Sequence, residues 1–95
     1  MGAPAQQAID NTHVHYVFII AYARTRDFAE AKDAADSAER TLTELTRLLS
    51  PASPLFSEIH QLRSIIHAAR QSIARQQQPQ DLDKGLGLIA AIEDA

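Results

Sequence analysis

Two pairs of histidines are the residues in this chain whose type first suggests chemistry, because imidazole is a common metal ligand. His13 and His15 lie two positions apart, and His60 and His67 lie seven apart. On a helix, positions i and i+2 point to nearly opposite sides, so His13 and His15 diverge. His60 and His67 share a side but are about 10 Å apart along the helix axis. One ion, whose nitrogen bonds are about 2 Å long, cannot span them, and we expect no metal site and no cofactor.

The nucleophilic residues show no catalytic pattern either. The helical serines have no G-x-S-x-G turn near them, and the chain contains no cysteine. The "GLG" at 85–87 lacks the preceding strand and the lysine of a phosphate-binding loop. We therefore expect a protein that is not an enzyme. A small enzyme or ligand carrier remains a third alternative, because residues distant in sequence can meet in a fold.

A basic row follows a spacing of three, four and three: His60, Arg63, His67 and Arg70. It lies in a segment that is richer in arginine than in acids, whereas residues 27–49 are predominantly acidic. In one interpretation the row pairs with that acidic segment or faces water. In the other, Arg63, His67 and Arg70 contact an acidic partner, more strongly as histidine protonates.

Apolar residues recur at alternating spacings of three and four along most of the chain, which predicts helices. The clearest run begins at Phe28 and includes a seam of small residues, Ala31, Ala35 and Ala38, which we interpret as core or as a groove for a partner helix. Asp27 is expected to cap it, with Glu30 three positions on. Ser53 and Pro54 predict the start of the next helix. The predicted helices are about 8–24, 28–49, 54–77 and 81–94.

The stretch "HVHYVFIIAYA" at 13–23 is the most apolar part of the chain. A buried strand is the rival interpretation, but no other segment offers it a strand to pair with. As a helix it is apolar nearly all round, which is typical of a core centre or an interface. We expect Val14, Phe18 and Tyr22 to face the neighbouring helix. The opposite side is then the predicted partner surface, formed by Tyr16, Ile19 and Ile20.

Residues 18–43 resemble a single tetratricopeptide (TPR) helix pair. Phe18 and Tyr22 match the large apolar positions of the family's first helix, Phe28 matches the aromatic that opens the second, and Ala31 and Ala38 match small contact positions. The sequence departs from the family's pattern at His15, Ile19 and Thr43. A second copy at the repeat spacing is absent, so a solenoid groove is not expected. The resemblance implies a helical hairpin and protein binding.

Chain length, net charge and composition limit the class of protein. Ninety-five residues allow one domain, spanning 1–95, with a thin core that favours a partner or a homodimer. The net charge of −3 argues against nucleic acid and anionic membrane as partners. The N-terminal residues lack the basic region of a secretory signal, and we expect a cytoplasmic chain. Our prediction is an all-α, antiparallel bundle of three to four helices that binds another protein as an adaptor, small chaperone or inhibitor. The alternative is a self-associating structural or regulatory homodimer.

Overall fold

A computed structural model describes residues 1–95 as four α-helices without a strand, which confirms the all-α prediction. The helices are α1 (Ala3–Arg24), α2 (Phe28–Leu48), α3 (Phe56–Ala74) and α4 (Leu82–Glu93). The predicted start of α1 was five residues too late. The predicted start of α3 was two residues too early, because the Ser53 hydroxyl accepts the Leu55 N–H in a turn (3.2 Å). Local capping thus delays α3 beyond Pro54.

The helices form a ring in which α1 packs against α2, α2 against α3, α3 against α4, and α4 against α1. Contacts along each pair run in opposite directions. Arg70 reaches Asp36 on α2, while Arg63, seven residues earlier, reaches Thr46, ten residues later. The result is an antiparallel bundle with dimensions of 38 × 19 × 18 Å.

The core is formed by small residues between α1 and α2 and by leucine and isoleucine layers elsewhere. Ala31, Ala35 and Ala38 are fully buried, which confirms the interpretation of this seam as core. The chain exposes 5393 Å², close to the about 5,400 Å² that size scaling gives for a compact 10.4 kDa monomer. One chain therefore covers its own core without a partner.

The connection between α1 and α2 shows how local chemistry fixes this hairpin. Arg26 adopts a left-handed conformation (φ 60°), and the Asp27 N–H then donates to the Tyr22 carbonyl (2.9 Å) in a Schellman-type ending. The Asp27 carboxylate accepts the Glu30 N–H (3.2 Å), which confirms the predicted cap. In a full capping box the Glu30 side chain would accept the Asp27 N–H. That bond is absent because the Asp27 N–H already donates to the Tyr22 carbonyl of α1.

The predicted orientation of α1 was wrong. Tyr16 and Ile19, expected on an uncovered side, are fully buried, and Ile20 is half-buried. Val14 and Phe18, expected against the neighbour, are 52% and 45% exposed. The buried side extends N-terminally into the added turns of α1. There, small and apolar residues continue it: Ala5, Ala8, Ile9 and Thr12.

Tyr16 joins α1 to the start of α4. Its hydroxyl donates to the Leu82 carbonyl (2.7 Å), and its ring lies directly over Gly85. A Cβ added at Gly85 would lie 1.9 Å from the Tyr16 oxygen, so only glycine permits this approach. Burial, together with the carboxylates of Asp83 and Asp81, raises the pKa of the Tyr16 phenol. The hydroxyl is a donor at neutral pH, as in any tyrosine, and the raised pKa extends this to more alkaline pH.

The two glycines of α4 provide a matched pair of substitutions. Gly85→Ala should destabilise the fold by about 1–3 kcal/mol, because the new methyl group displaces the buried Tyr16 hydroxyl. Gly87→Ala should stabilise it by up to about 1 kcal/mol, because the position is helical, exposed and free of nearby atoms. Urea denaturation of both variants measures the difference. Equal effects of the two substitutions would contradict the Tyr16–Gly85 contact.

Candidate protein-binding surface

The outward side of α1 carries the largest exposed apolar residues of any helix in the bundle. Val14, Val17 and Phe18 are 52%, 45% and 45% exposed, and Ala21 extends the row by one turn. We call these four residues the outer stripe. Their spacing of three, one and three places them on one side of the helix, opposite Tyr16 and Ile19. Contiguous exposed apolar side chains of this kind are typical of interaction sites.

The surface of the outer stripe contains a concave depression. A hollow of ≈ 250 Å³ is lined by His13, Val14, Val17 and Phe18, which come from two successive turns. The Phe18 ring packs against the Tyr22 ring with centroids 6.0 Å apart, so its position is supported from the C-terminal side. Four residues around one depression form the kind of hole that receives a side chain from a facing helix.

The predicted basic row lies on α3, and its two arginines already contact α2. Arg70 forms ion pairs with Asp36 (2.9 Å) and with Glu39 on α2. Arg63 donates to the Thr43 and Thr46 hydroxyls, at 3.2 and 2.9 Å. His67 and His60 are exposed. The interpretation in which this row pairs with the acidic helix is therefore the one that the contacts of Arg70 support.

The Asp36 carboxylate is the centre of this α2–α3 contact. Burial would raise its pKa, but the hydrogen bond from Lys32 and the positive charges of Lys32, Arg70 and Arg40 outweigh burial and lower it. Its Oδ1 lies 2.9 Å from Arg70 without the angle of a hydrogen bond. The interaction with Arg70 is thus mainly one of charge.

The histidines that the sequence made worth testing as metal ligands lie on two helices, His13 and His15 on α1 and His60 and His67 on α3. His13 Nδ1 lies 3.1 Å from the Glu93 carboxylate, across the α1–α4 contact. No group of three or more histidine, aspartate or glutamate side chains is placed to hold an ion. His60, Ser64 and Lys84 line an open polar groove of ≈ 590 Å³ between α3 and α4, in which most lining residues are polar.

The residues predicted to form a partner surface lie on the side of α1 that faces the core: Tyr16 and Ile19 are buried and Ile20 is half-buried. The exposed residues on the other side are Val14, Val17 and Phe18, of which Val14 and Phe18 had been expected to face the neighbouring helix. A signal was present in the sequence, because the row through Val14 and Val17 continues N-terminally into the polar Asp10 and Gln7.

The chain matches no family model, no curated protein and no solved structure. The resemblance of residues 18–43 to a TPR helix pair therefore stays a prediction. None of the four helices combines the length and the apolar character that crossing a membrane requires.

The ionic contact between α2 and α3 predicts a pH-dependent contribution to stability. The lowered pKa of Asp36 means that its contribution is present above the unfolded-state pKa and is lost as the pH falls through the folded-state value. Arg70→Gln should lower the unfolding free energy at pH 7 by about 1 kcal/mol or less, since the pair is partly exposed. The deficit should shrink near pH 3.

Urea denaturation at the two pH values measures this deficit. Arg75→Gln, an exposed arginine at the end of the same helix, is the control and should change little at either pH. A deficit of equal size at pH 7 and pH 3 would show that Arg70 acts by packing alone.

Proposed function

We propose that this chain is a non-enzymatic protein-binding module that acts through helix–helix contacts made by the outer stripe of α1. The observation that carries the proposal is the position of Val14, Val17 and Phe18. These large apolar residues lie on the outside of a domain that already covers its core with one chain. The exposed halves of these side chains contribute nothing to folding, and their burial against a partner is a direct source of binding free energy.

The mechanism is burial of apolar surface combined with charge at the rim. Fully burying a valine or phenylalanine side chain contributes about 1.5–3 kcal/mol. About half of each stripe residue is already covered in the monomer, so roughly half of that gain is left for binding. The hollow beside Val17 and Phe18 receives a partner side chain, while Asp10 and Arg24 at the two ends of the stripe set the orientation.

The TPR-like hairpin remains part of this proposal. Phe28, Ala31 and Ala38 match the family's pattern at the α1–α2 contact, and both alanines are buried there. The resemblance supports an adaptor, small chaperone or inhibitor, since TPR units bind proteins. The cytoplasm stays the proposed location.

An acidic partner at Arg63, His67 and Arg70 is the weaker candidate surface. Such a partner has to compete with Asp36 and Glu39 for Arg70, and with two threonine hydroxyls for Arg63. His67 is exposed and forms no ion pair with the acidic helix. The apolar stripe, in contrast, has no competing contact to break.

Val17→Lys tests the proposal against a matched control. A lysine at the centre of the stripe should weaken partner binding at least tenfold, because its charge is desolvated in the interface. The stability of the fold should change by less than about 0.5 kcal/mol, since the position is outward-facing. The measurement is affinity capture from the native host with mass spectrometry, beside thermal denaturation of the purified variant.

Leu48→Lys is the control, since Leu48 is also a large exposed apolar residue but lies on α2. It should keep the partners that the wild type captures. If Val17→Lys folds and keeps every partner as well, the outer stripe is not the binding surface and the proposal fails.

A further inference from the structure

We propose that the occupant of the outer stripe is a second copy of this chain, docked antiparallel with α1 against α1. This inference rests on the proposed function and specifies the partner. The two-fold axis passes between Val17 and Phe18, so that each copy contributes the same surface. The self-complementary order of charged, large and small residues along α1 carries the argument.

The outer side of α1 has the spacing of a helix-packing seam. Its positions recur every seven residues, which is two helical turns, and none of them is buried in the monomer. They are Gln7, Asp10, Val14, Val17, Ala21 and Arg24. An alternation of three and four is the period at which two helices keep one seam in contact. The seam is apolar at its centre, acidic at Asp10 and basic at Arg24.

The charges at the two ends select an antiparallel second copy. With the axis between positions 17 and 18, Asp10 faces position 25 of the other copy, next to its Arg24. Each end of the seam then has an ion pair, and the dimer has two. A parallel arrangement places Asp10 against Asp10 and Arg24 against Arg24, which is repulsive at both ends.

Side-chain sizes agree with the same arrangement. Val14 faces Ala21 of the other copy, so a larger side chain meets a small one on both sides of the axis, and such pairs interdigitate. Val17 and Phe18 meet at the axis, beside the hollow that they line with His13 and Val14. One helix per copy is small compared with a standard interface of about 1,600 Å². The dimer should therefore be reversible and concentration-dependent.

The first test uses the absence of cysteine from the chain. Val17→Cys should form a disulfide-linked dimer under mild oxidation, since position 17 lies near the axis. Gln7→Cys should not, because the two copies of position 7 are about 30 Å apart in the antiparallel dimer, far beyond disulfide reach. Linkage of both variants would indicate a parallel dimer and would overturn the proposal.

The second test exchanges the charges at the ends of the seam. Asp10→Lys and Arg24→Glu should each weaken dimerisation about tenfold, measured by sedimentation equilibrium, because each reverses two ion pairs per dimer. The double variant should recover the wild-type dissociation constant. Asp33→Lys, an exposed acid on α2, is the control and should have little effect. Failure of the double variant to recover, with all variants folded, would contradict the antiparallel pairing.

The outcomes separate this inference from the proposed function. A wild-type chain that stays monomeric at every concentration and forms no Val17→Cys linkage overturns the second copy as occupant. Binding of a different protein that is lost in Val17→Lys would then still support the proposed function. A dimer that persists unchanged in Val17→Lys overturns the second copy as occupant, because its interface lies elsewhere, while the proposed function is then decided by the capture of other partners.

Discussion

The contact between Tyr16 and Gly85 closes the ring of helices, and the orientation of α1 depends on it. The phenol fits only because α4 has no side chain at that position, and its hydroxyl donates to the Leu82 carbonyl at the first residue of α4. With Tyr16 held inward, Ile19 follows it into the core one turn later. The opposite side of the helix then faces solvent.

The proposed function depends on the outward apolar side of α1 that results from this orientation. α1 is apolar on both sides, and its neighbours α2 and α4 cover only one of them. The covered side is sufficient for a compact monomer, so the outer stripe is free to act in recognition. If the outer stripe binds as proposed, stability and binding depend mainly on different residues of the same helix, and substitutions can address them separately.

Most of the fold was predictable from local patterns, because these act over a few residues. The spacing of α2 predicts its buried alanine seam, and Asp27 is a cap that the structure confirms. The side of α1 was not predicted correctly, since residues 14–22 are apolar all round. The Tyr16–Leu82 bond joins residues 66 positions apart, and no local pattern encodes such a contact. Followed N-terminally, the row of Tyr16 and Ile19 leads to the apolar Ile9, whereas the row of Val14 and Val17 leads to the charged Asp10. This difference would have identified the core side of α1.

The most direct test of the account is methyl NMR with a soluble paramagnetic agent, at low and high protein concentration. At low concentration the Val14 and Val17 methyl groups should relax rapidly through contact with the agent, while the Ile19 methyls should be protected. At high concentration Val17 should become protected as the outer stripe is covered. Equal accessibility of Ile19 and Val17 at low concentration, or a Val17 signal that stays accessible at every concentration, would contradict the account.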